Sequence, residues 1–252
     1  MSEVCRLLGE PRFGGILVVS DHASNHVPRD IHLGVAPPLL EEHMAIDIGV
    51  AGVGAQLAAR PGFAAFHCAV SRLVCDVNRE EDAPGAVPAA SDGHAIPGNM
   101  LDEAGHEARI ARFHRPYHAA LADLLERVPP ALILSVHSFT PRLATSTEPR
   151  PWHVGVLYNE DDRAARLAIP LLEAEGLIVG DQQPYSGRLL NYTMNRHAEA
   201  EGRPYLGVEI RQDGIADAAG QARWADILFR LANRVAREMG VAAIGEFGRG
   251  RA

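Results

Sequence analysis

The sequence predicts a three-layer α/β/α domain, and three observations carry that expectation. Apolar runs of strand length recur, among them Ile16-Leu17-Val18-Val19, Leu132-Ile133-Leu134 and Tyr205-Leu206-Gly207-Val208. Segments of helical periodicity alternate with them across the whole chain. Each run closes on polar residues: Ser20-Asp21-His22, His137-Ser138 and Glu209 with Arg211. Ligands of open α/β sheets bind at the carboxyl ends of the strands, so these three ends imply one convergent site.

Taken in order, residues 14–20 read as the first strand, and 21–28 as a polar loop stopped by Pro28. Between Pro38 and Arg60 the periodicity predicts a helix, with Leu40, His43, Asp47, Val50, Gly54 and Leu57 on its inner face. A second strand spans 63–70, and its polar continuation runs to Arg79. Residues 80–99, rich in Pro, Gly, Ala and Asp, form a long loop of the kind that covers a site. Residues 101–128 are helical around a stripe of Ile110, Phe113, Tyr117, Leu121 and Leu124, with Pro116 kinking or restarting the helix. The strand ending at His137 follows.

A loop over 141–152, a strand over 153–158 and a helix over 161–175 closed by Gly176 come next. A short strand over 177–179 precedes a second covering loop at 182–191. A helix over 192–201, a last strand over 205–211 and a closing helix over 216–239 complete the pattern, and the 248–251 tail is expected to fray.

The 252 residues are 47% apolar and 22% charged, enough for a core without staples, and one domain is expected over 1–252. A formal charge of -8 argues against nucleic acid or an anionic membrane as the main partner. Cys5, Cys68 and Cys75 make neither a disulfide framework nor a metal-binding cluster, so they are read as reduced thiols. Met1-Ser2-Glu3-Val4-Cys5 has no basic region followed by an apolar one, and no stretch approaches the roughly 18 apolar residues of a membrane span. The expected compartment is the cytoplasm. Oligomeric state is left open.

Catalytic zinc takes three N or O ligands and leaves a position open. Any one of the twelve histidines is by itself an ordinary surface or hydrogen-bonded group, but His22 and His137 occupy matched positions after apolar runs. Two residues compete for third ligand, Asn25 and Asp47. A carboxylate binds a dication better than a neutral amide, which favours Asp47, whose bland alternative is a buried pair with His43. Glu209 is the candidate general base, against a simple salt bridge with Arg211. Arg72 and Asp76-Val77-Asn78-Arg79 add two guanidinium groups and an amide, suited to a substrate carboxylate and a scissile carbonyl, against a structural turn between Asp76 and Arg79.

These motifs resemble the N-formylglutamate amidohydrolases. The likeness rests on Ser20-Asp21-His22-Ala23-Ser24-Asn25, Asp47, Ser71-Arg72, Asp76-Val77-Asn78-Arg79 and Pro116-Tyr117-His118, and extends from about residue 14 to 235. The chain is more remotely similar to zinc carboxypeptidases and aspartoacylases, through His22, Asp76-Val77-Asn78-Arg79, His137 and Gly207-Val208-Glu209 in the same order. The resemblance implies a central mixed sheet of zinc-exopeptidase-like (phosphorylase/hydrolase-like) type. It further implies zinc on His22 and His137, Asn78 and Arg79 on the substrate carboxylate, Arg72 on the scissile carbonyl and Glu209 as base. Carboxypeptidase-like enzymes carry a glutamate ligand where this chain has Asn25; peptidoglycan amidases draw a carboxylate from the following helix, which supports Asp47.

The expected activity is removal of the acyl group from a small N-acyl amino acid, foremost N-formyl-L-glutamate, with one divalent cation, zinc or another transition metal. Asn25 and Arg211 join Asn78 and Arg79 as candidate substrate contacts, while Arg142, Arg188 and Arg211 stand unranked for a substrate side-chain carboxylate. A cell-wall amidase and a non-catalytic metal or carboxylate binder are the competing readings.

Overall fold

A computed structural model describes residues 3–241; the 248–251 tail lies outside the described residues. In chain order the elements are β1 (Cys5–Gly9), β2 (Ile16–Ser20), α1 (Val50–Ala58), β3 (Phe63–Cys68) and the small hairpin of β4 (Ala90–Ser91) and β5 (His94–Ala95). Then come α2 (Glu103–Arg109), a π-helical turn (Ile110–His114), α3 (Arg115–Arg127), β6 (Leu132–Phe139), β7 (Val154–Leu157) and α4 (Arg163–Ala174). The last are β8 (Val179–Asp181), α5 (Gly187–Leu190), α6 (Tyr192–His197), β9 (Tyr205–Arg211) and α7 (Ala218–Glu238).

Seven strands form one mixed sheet in the order β1-β3-β2-β6-β9-β7-β8. β3, β2, β6 and β9 run parallel, while β1 and β7 pair antiparallel with β3 and β9. Their carboxyl ends therefore share one edge, led by β2, β6 and β9 at the centre. Central strands covered on both faces must be apolar throughout, and β2, β3 and β6 are buried along their whole length.

Two apolar layers sandwich the sheet. On one side α1, α4 and α7 bury Val53, Leu57, Ala168, Leu172, Trp224, Leu228 and Val235 against Val18, Leu134 and Val208. On the other, Ile110, Phe113, Tyr117, Leu121 and Leu125 pack with Val19, Phe66 and Ile133. Each such side chain contributes on the order of 1.5–3 kcal/mol by leaving water. Asp102 and Asp217 cap α2 and α7, their Oδ1 atoms accepting the Gly105 and Gly220 N–H groups at 2.8 Å.

Three boundaries differ from the sequence reading. β1 escapes it because this edge strand is mostly exposed or half-buried and so lacks a continuous apolar signature. The helix expected over 38–60 is a 3-10 turn (Pro37–Glu41), an irregular segment and then α1. Gly49 breaks it: its φ of +82° is left-handed, and a side chain there would run into the Ile215 carbonyl. The 101–128 helix is continuous only through the π-helical turn that precedes Pro116. Among the described residues, no helix is long and apolar enough to cross a membrane.

Gly54 brings α1 against β3 so closely that a β-carbon would collide with the His67 imidazole. Gly54→Ala is therefore expected to cost about 1–3 kcal/mol by overpacking, despite the higher helix propensity of alanine. Urea unfolding measures this; an unchanged or higher midpoint would show that the contact relaxes freely.

Candidate metal and catalytic site

His22 directly follows β2, His137 lies near the end of β6, and Glu209 pairs in register with His137 from neighbouring β9. Parallel neighbours in register point their side chains to the same face, so the acid and the imidazole face one space. Asp47 reaches it from the irregular segment before α1 and not from a helix face, a correction to the sequence reading. That segment is pinned. The Asp47 N–H donates to His22 O at 3.0 Å, the Ser71 hydroxyl to Ala45 O at 2.8 Å, and the Ser138 hydroxyl to Ile48 O at 3.0 Å.

Ligand atoms of His22, Asp47 and His137 lie within 4.8 Å of one another, all three residues buried. Both imidazoles turn Nδ1 toward Asp47 Oδ2, at 3.4 Å from His22 and 2.9 Å from His137. Their Nε2 atoms face carboxylates behind: Asp76 Oδ1 at 2.7 Å and Asp21 Oδ2 at 3.3 Å. An outer carboxylate on the far ring nitrogen orients a metal-ligating histidine and fixes its tautomer, so the set fits one dication at the two Nδ1 atoms and Asp47. Asp47 pairs with both imidazoles and Arg72; His43, its expected alternative partner, lies 3.1 Å from Asp92 Oδ2 instead.

Electrostatics follow from this packing. Burial and the Arg72 charge press His22 toward neutrality, but Asp76 and Asp47 outweigh them and raise its pKa. His137 is likewise raised against burial by Asp21 and Asp47. Burial would raise Asp47, yet the two imidazoles hold it far below the usual carboxylate range. Glu209 is pushed up to about 7, chiefly by burial and against the pull of His137; its Oε2 is enclosed without a hydrogen-bond partner.

The cavity over these groups encloses about 280 Å³, and Arg72, Asn78, Arg79, Tyr185, Leu190 and Glu209 are in its wall. Both expected covering loops contribute, through Ser91 with Asp92 and Tyr185 with Leu190. The 141–152 loop adds Leu143 and Thr145, tied to Asp92 by Thr145 N–H and hydroxyl bonds of 3.1 and 2.8 Å. Arg72 donates to Asp47 Oδ1 at 3.2 Å and Asp76 Oδ2 at 2.9 Å. The Asp76 turn is also real, Oδ1 accepting the Asn78 N–H at 3.0 Å.

Four sequence candidates, Asn25, Arg142, Arg188 and Arg211, do not line this space. The Asn25 amide donates to Glu41 Oε1 at 2.9 Å, and Arg211 donates to Asp213 Oδ1 at 2.8 Å and to Pro151 O; neither lines the cavity. Glu209 makes no pair with Arg211, and β9 is interior to the sheet. Asn78 lines the cavity but its amide is committed, Oδ1 accepting the Thr193 N–H at 2.9 Å and Nδ2 donating to Leu190 O at 3.4 Å. Asp21 was missed as a site residue, although it adjoins His22 in the sequence.

The sequence matches the N-formylglutamate amidohydrolase family over residues 14–216. The chain belongs to that family. A gene product of Agrobacterium tumefaciens has a similar structure, with 28% identity, TM-score 0.88, and 95% of this chain and 97% of that one covered. The N-formylglutamate amidohydrolase of Ralstonia eutropha JMP134 shares the fold at 21% identity and TM-score 0.74, covering 95% and 100%. No curated protein matches the sequence. Membership in an amidohydrolase family supports an enzyme acting on an amide.

The Pro116-Tyr117-His118 segment, part of the resemblance to these amidohydrolases, now has a physical account. Tyr117 donates its hydroxyl to Asp21 Oδ1 at 2.6 Å, holding the carboxylate behind His137. His118 Nε2 donates to Val77 O at 2.8 Å, so in the neutral ring its Nδ1 accepts from His197 Nε2–H at 2.9 Å. His114 Nε2 donates to Arg79 O at 2.8 Å. Thus one wall of histidines carries the backbone of the Asp76 to Arg79 turn.

Two measurements test this shell. Asp76→Asn keeps the turn but weakens the support behind His22, so zinc affinity in a chelator competition should fall roughly 10–100-fold; unaltered affinity would remove the carboxylate from the metal's surroundings. The second concerns acid stability. Burial, with His114 and His197 nearby, lowers His118 to about 3, and burial, with Arg196 nearby, lowers His197 to about 4. Tyr117, Tyr192, Arg203 and Asp21 are the other ionisable neighbours. With folded values below the unfolded value near 6.5, their stability contribution is complete above 6.5 and is lost as pH falls from there toward 4, by up to ~1.4 kcal/mol per pH unit per histidine. Urea unfolding of the wild type and His197→Gln between pH 7.5 and 4.5 should show a shallower decline in the variant; equal slopes would contradict this.

Proposed function

We propose that this chain is a metal-dependent amidohydrolase that cleaves the acyl group from a small N-acyl amino acid in the cytoplasm, with N-formyl-L-glutamate as the favoured substrate and formate and L-glutamate as products. The observation that carries the reading is the buried His22, Asp47 and His137 donor set facing Glu209 inside a covered cavity of about 280 Å³. That size favours a small substrate over a polymeric cell wall.

A divalent cation held by the three donors supplies Lewis acidity toward water and toward a carbonyl. Zinc suits two imidazoles and a carboxylate, as do other transition metals. Glu209 accepts a proton from the attacking water as its oxygen bonds to the formyl carbon, and returns that proton to the leaving nitrogen as the C–N bond breaks. A buried carboxyl near pH 7 suits both transfers. Arg72, locked by Asp47 and Asp76, presents fixed positive charge to the oxygen that gains negative charge. Arg79, whose closest carboxylate contact is 4.0 Å from Asp76, is free to receive the substrate carboxylate.

Zinc-loaded protein is expected to release formate from N-formyl-L-glutamate. Glu209→Gln should lower kcat by about 10²–10⁴-fold while retaining zinc, as loss of a general base does. A metal-binding protein without catalytic function would bind the same ligands equally in both forms, and absence of turnover on every N-acyl amino acid tried would reject the enzyme.

A further inference from the structure

A substrate with two carboxylates needs two cationic contacts, and the catalytic cavity offers one. Among the described residues lining it, Arg72 has both terminal nitrogens on Asp47 and Asp76, and His43 faces Asp92 at 3.1 Å. Arg79 remains.

Arg79 also borders a second cavity of about 420 Å³. Asn78 and Arg79 line both spaces, and the second is also lined by Arg188 from α5 and Tyr192 and Arg196 from α6. Its one acid is Glu80. These guanidinium groups are not neutralised as others on the surface are: Arg115, Arg163, Arg166, Arg230 and Arg234 each lie within 2.9 Å of a carboxylate. Arg188 comes no nearer than 3.9 Å to Glu160, and Arg196 donates to the Tyr192 hydroxyl at 3.0 Å with its guanidinium over that ring. The Asn78 bonds to Thr193 and Leu190 tie the backbone of this wall to the Asp76 to Arg79 turn, while the Arg188 side chain extends from it into solvent, 74% exposed.

We propose that Arg188 and Arg196, facing this second cavity, form the subsite for the side-chain carboxylate of a dicarboxylic amino acid whose other carboxylate meets Arg79, and that they select such substrates over neutral ones. This rests on the amidohydrolase reading for its substrate. Arg142 and Arg211, the other sequence candidates for this task, line neither cavity.

The test compares N-formyl-L-glutamate with its neutral isostere N-formyl-L-glutamine on zinc-loaded wild type and on the double variant Arg188→Gln, Arg196→Gln. The wild-type kcat/KM ratio should favour the acid, and the variant ratio should fall about tenfold or more, as when a fitted charge partner is removed. An unchanged ratio overturns the proposal. Calorimetry with L-glutamate and L-glutamine reads the same discrimination without catalysis, so a protein that turns over neither substrate still decides the matter. Wild-type discrimination that the variant loses supports the subsite even then; equal binding of the two, or tight inorganic phosphate binding with no preference for glutamate, rejects it.

Discussion

Everything at the catalytic edge depends on keeping one carboxylate, Asp47, ionised at 3% exposure. An unpaired charge in such a place costs several kcal/mol, and the fold answers with donors from three elements. His22 and His137 face it from adjacent strands, Arg72 reaches Oδ1, and the Ser138 N–H donates to Oδ2 at 3.2 Å. Because these partners come from segments distant in sequence, the site exists only when the sheet is assembled. The same convergence that satisfies Asp47 draws the two Nδ1 atoms to one point.

Support for that point extends outward in an ordered way. Tyr117 holds Asp21, Asp21 faces His137, Asp76 faces His22, and His114 and His118 hold the turn that carries Asp76. α3 thereby supports the surroundings of both His22 and His137. Tyr117 and His118 are adjacent residues on a helix, so one supports the end of β2 while the other grips the Asp76 to Arg79 turn. The π-helical turn lies between α2 and α3 and carries His114, the third contact to that wall.

Much of this was legible in the sequence, for identifiable reasons. Apolar runs ending in His22, His137 and Glu209 report burial on both faces of a parallel sheet, and a polar residue at the end of such a run has few places to be except the common edge. Asp47 was legible as a candidate ligand by charge, but its local structure was not. His43 and Asp47 fit helical spacing with Val50 while lying in an irregular segment, and the positive φ of Gly49 marks the break. Asn78 shows a different limit. Its residue type suits a substrate contact, yet its amide bridges to Leu190 and Thr193, a partnership across more than a hundred residues that no local pattern encodes. Asn25 and Arg211 satisfied chemical criteria and failed on geometry, each drawn to a nearby acid.

The division of labour between sheet and loops follows from these contacts. His22, His137 and Glu209, three of the groups around the candidate metal site, sit on or beside the strand ends, where hydrogen bonding across the sheet leaves little freedom. The surrounding walls come from the hairpin at 90–95, which Asp92 joins to the 141–152 loop, and from α5 with α6, which Asn78 joins to the Asp76 to Arg79 turn. Changing those walls leaves the strand ends intact, since Asp92 and Asn78 bond to loop backbone and hydroxyl groups and not to His22, Asp47 or His137. Under the proposed function, acyl chemistry and recognition of the amino acid fall to separate parts of the fold, with Arg79 the residue that lines both cavities.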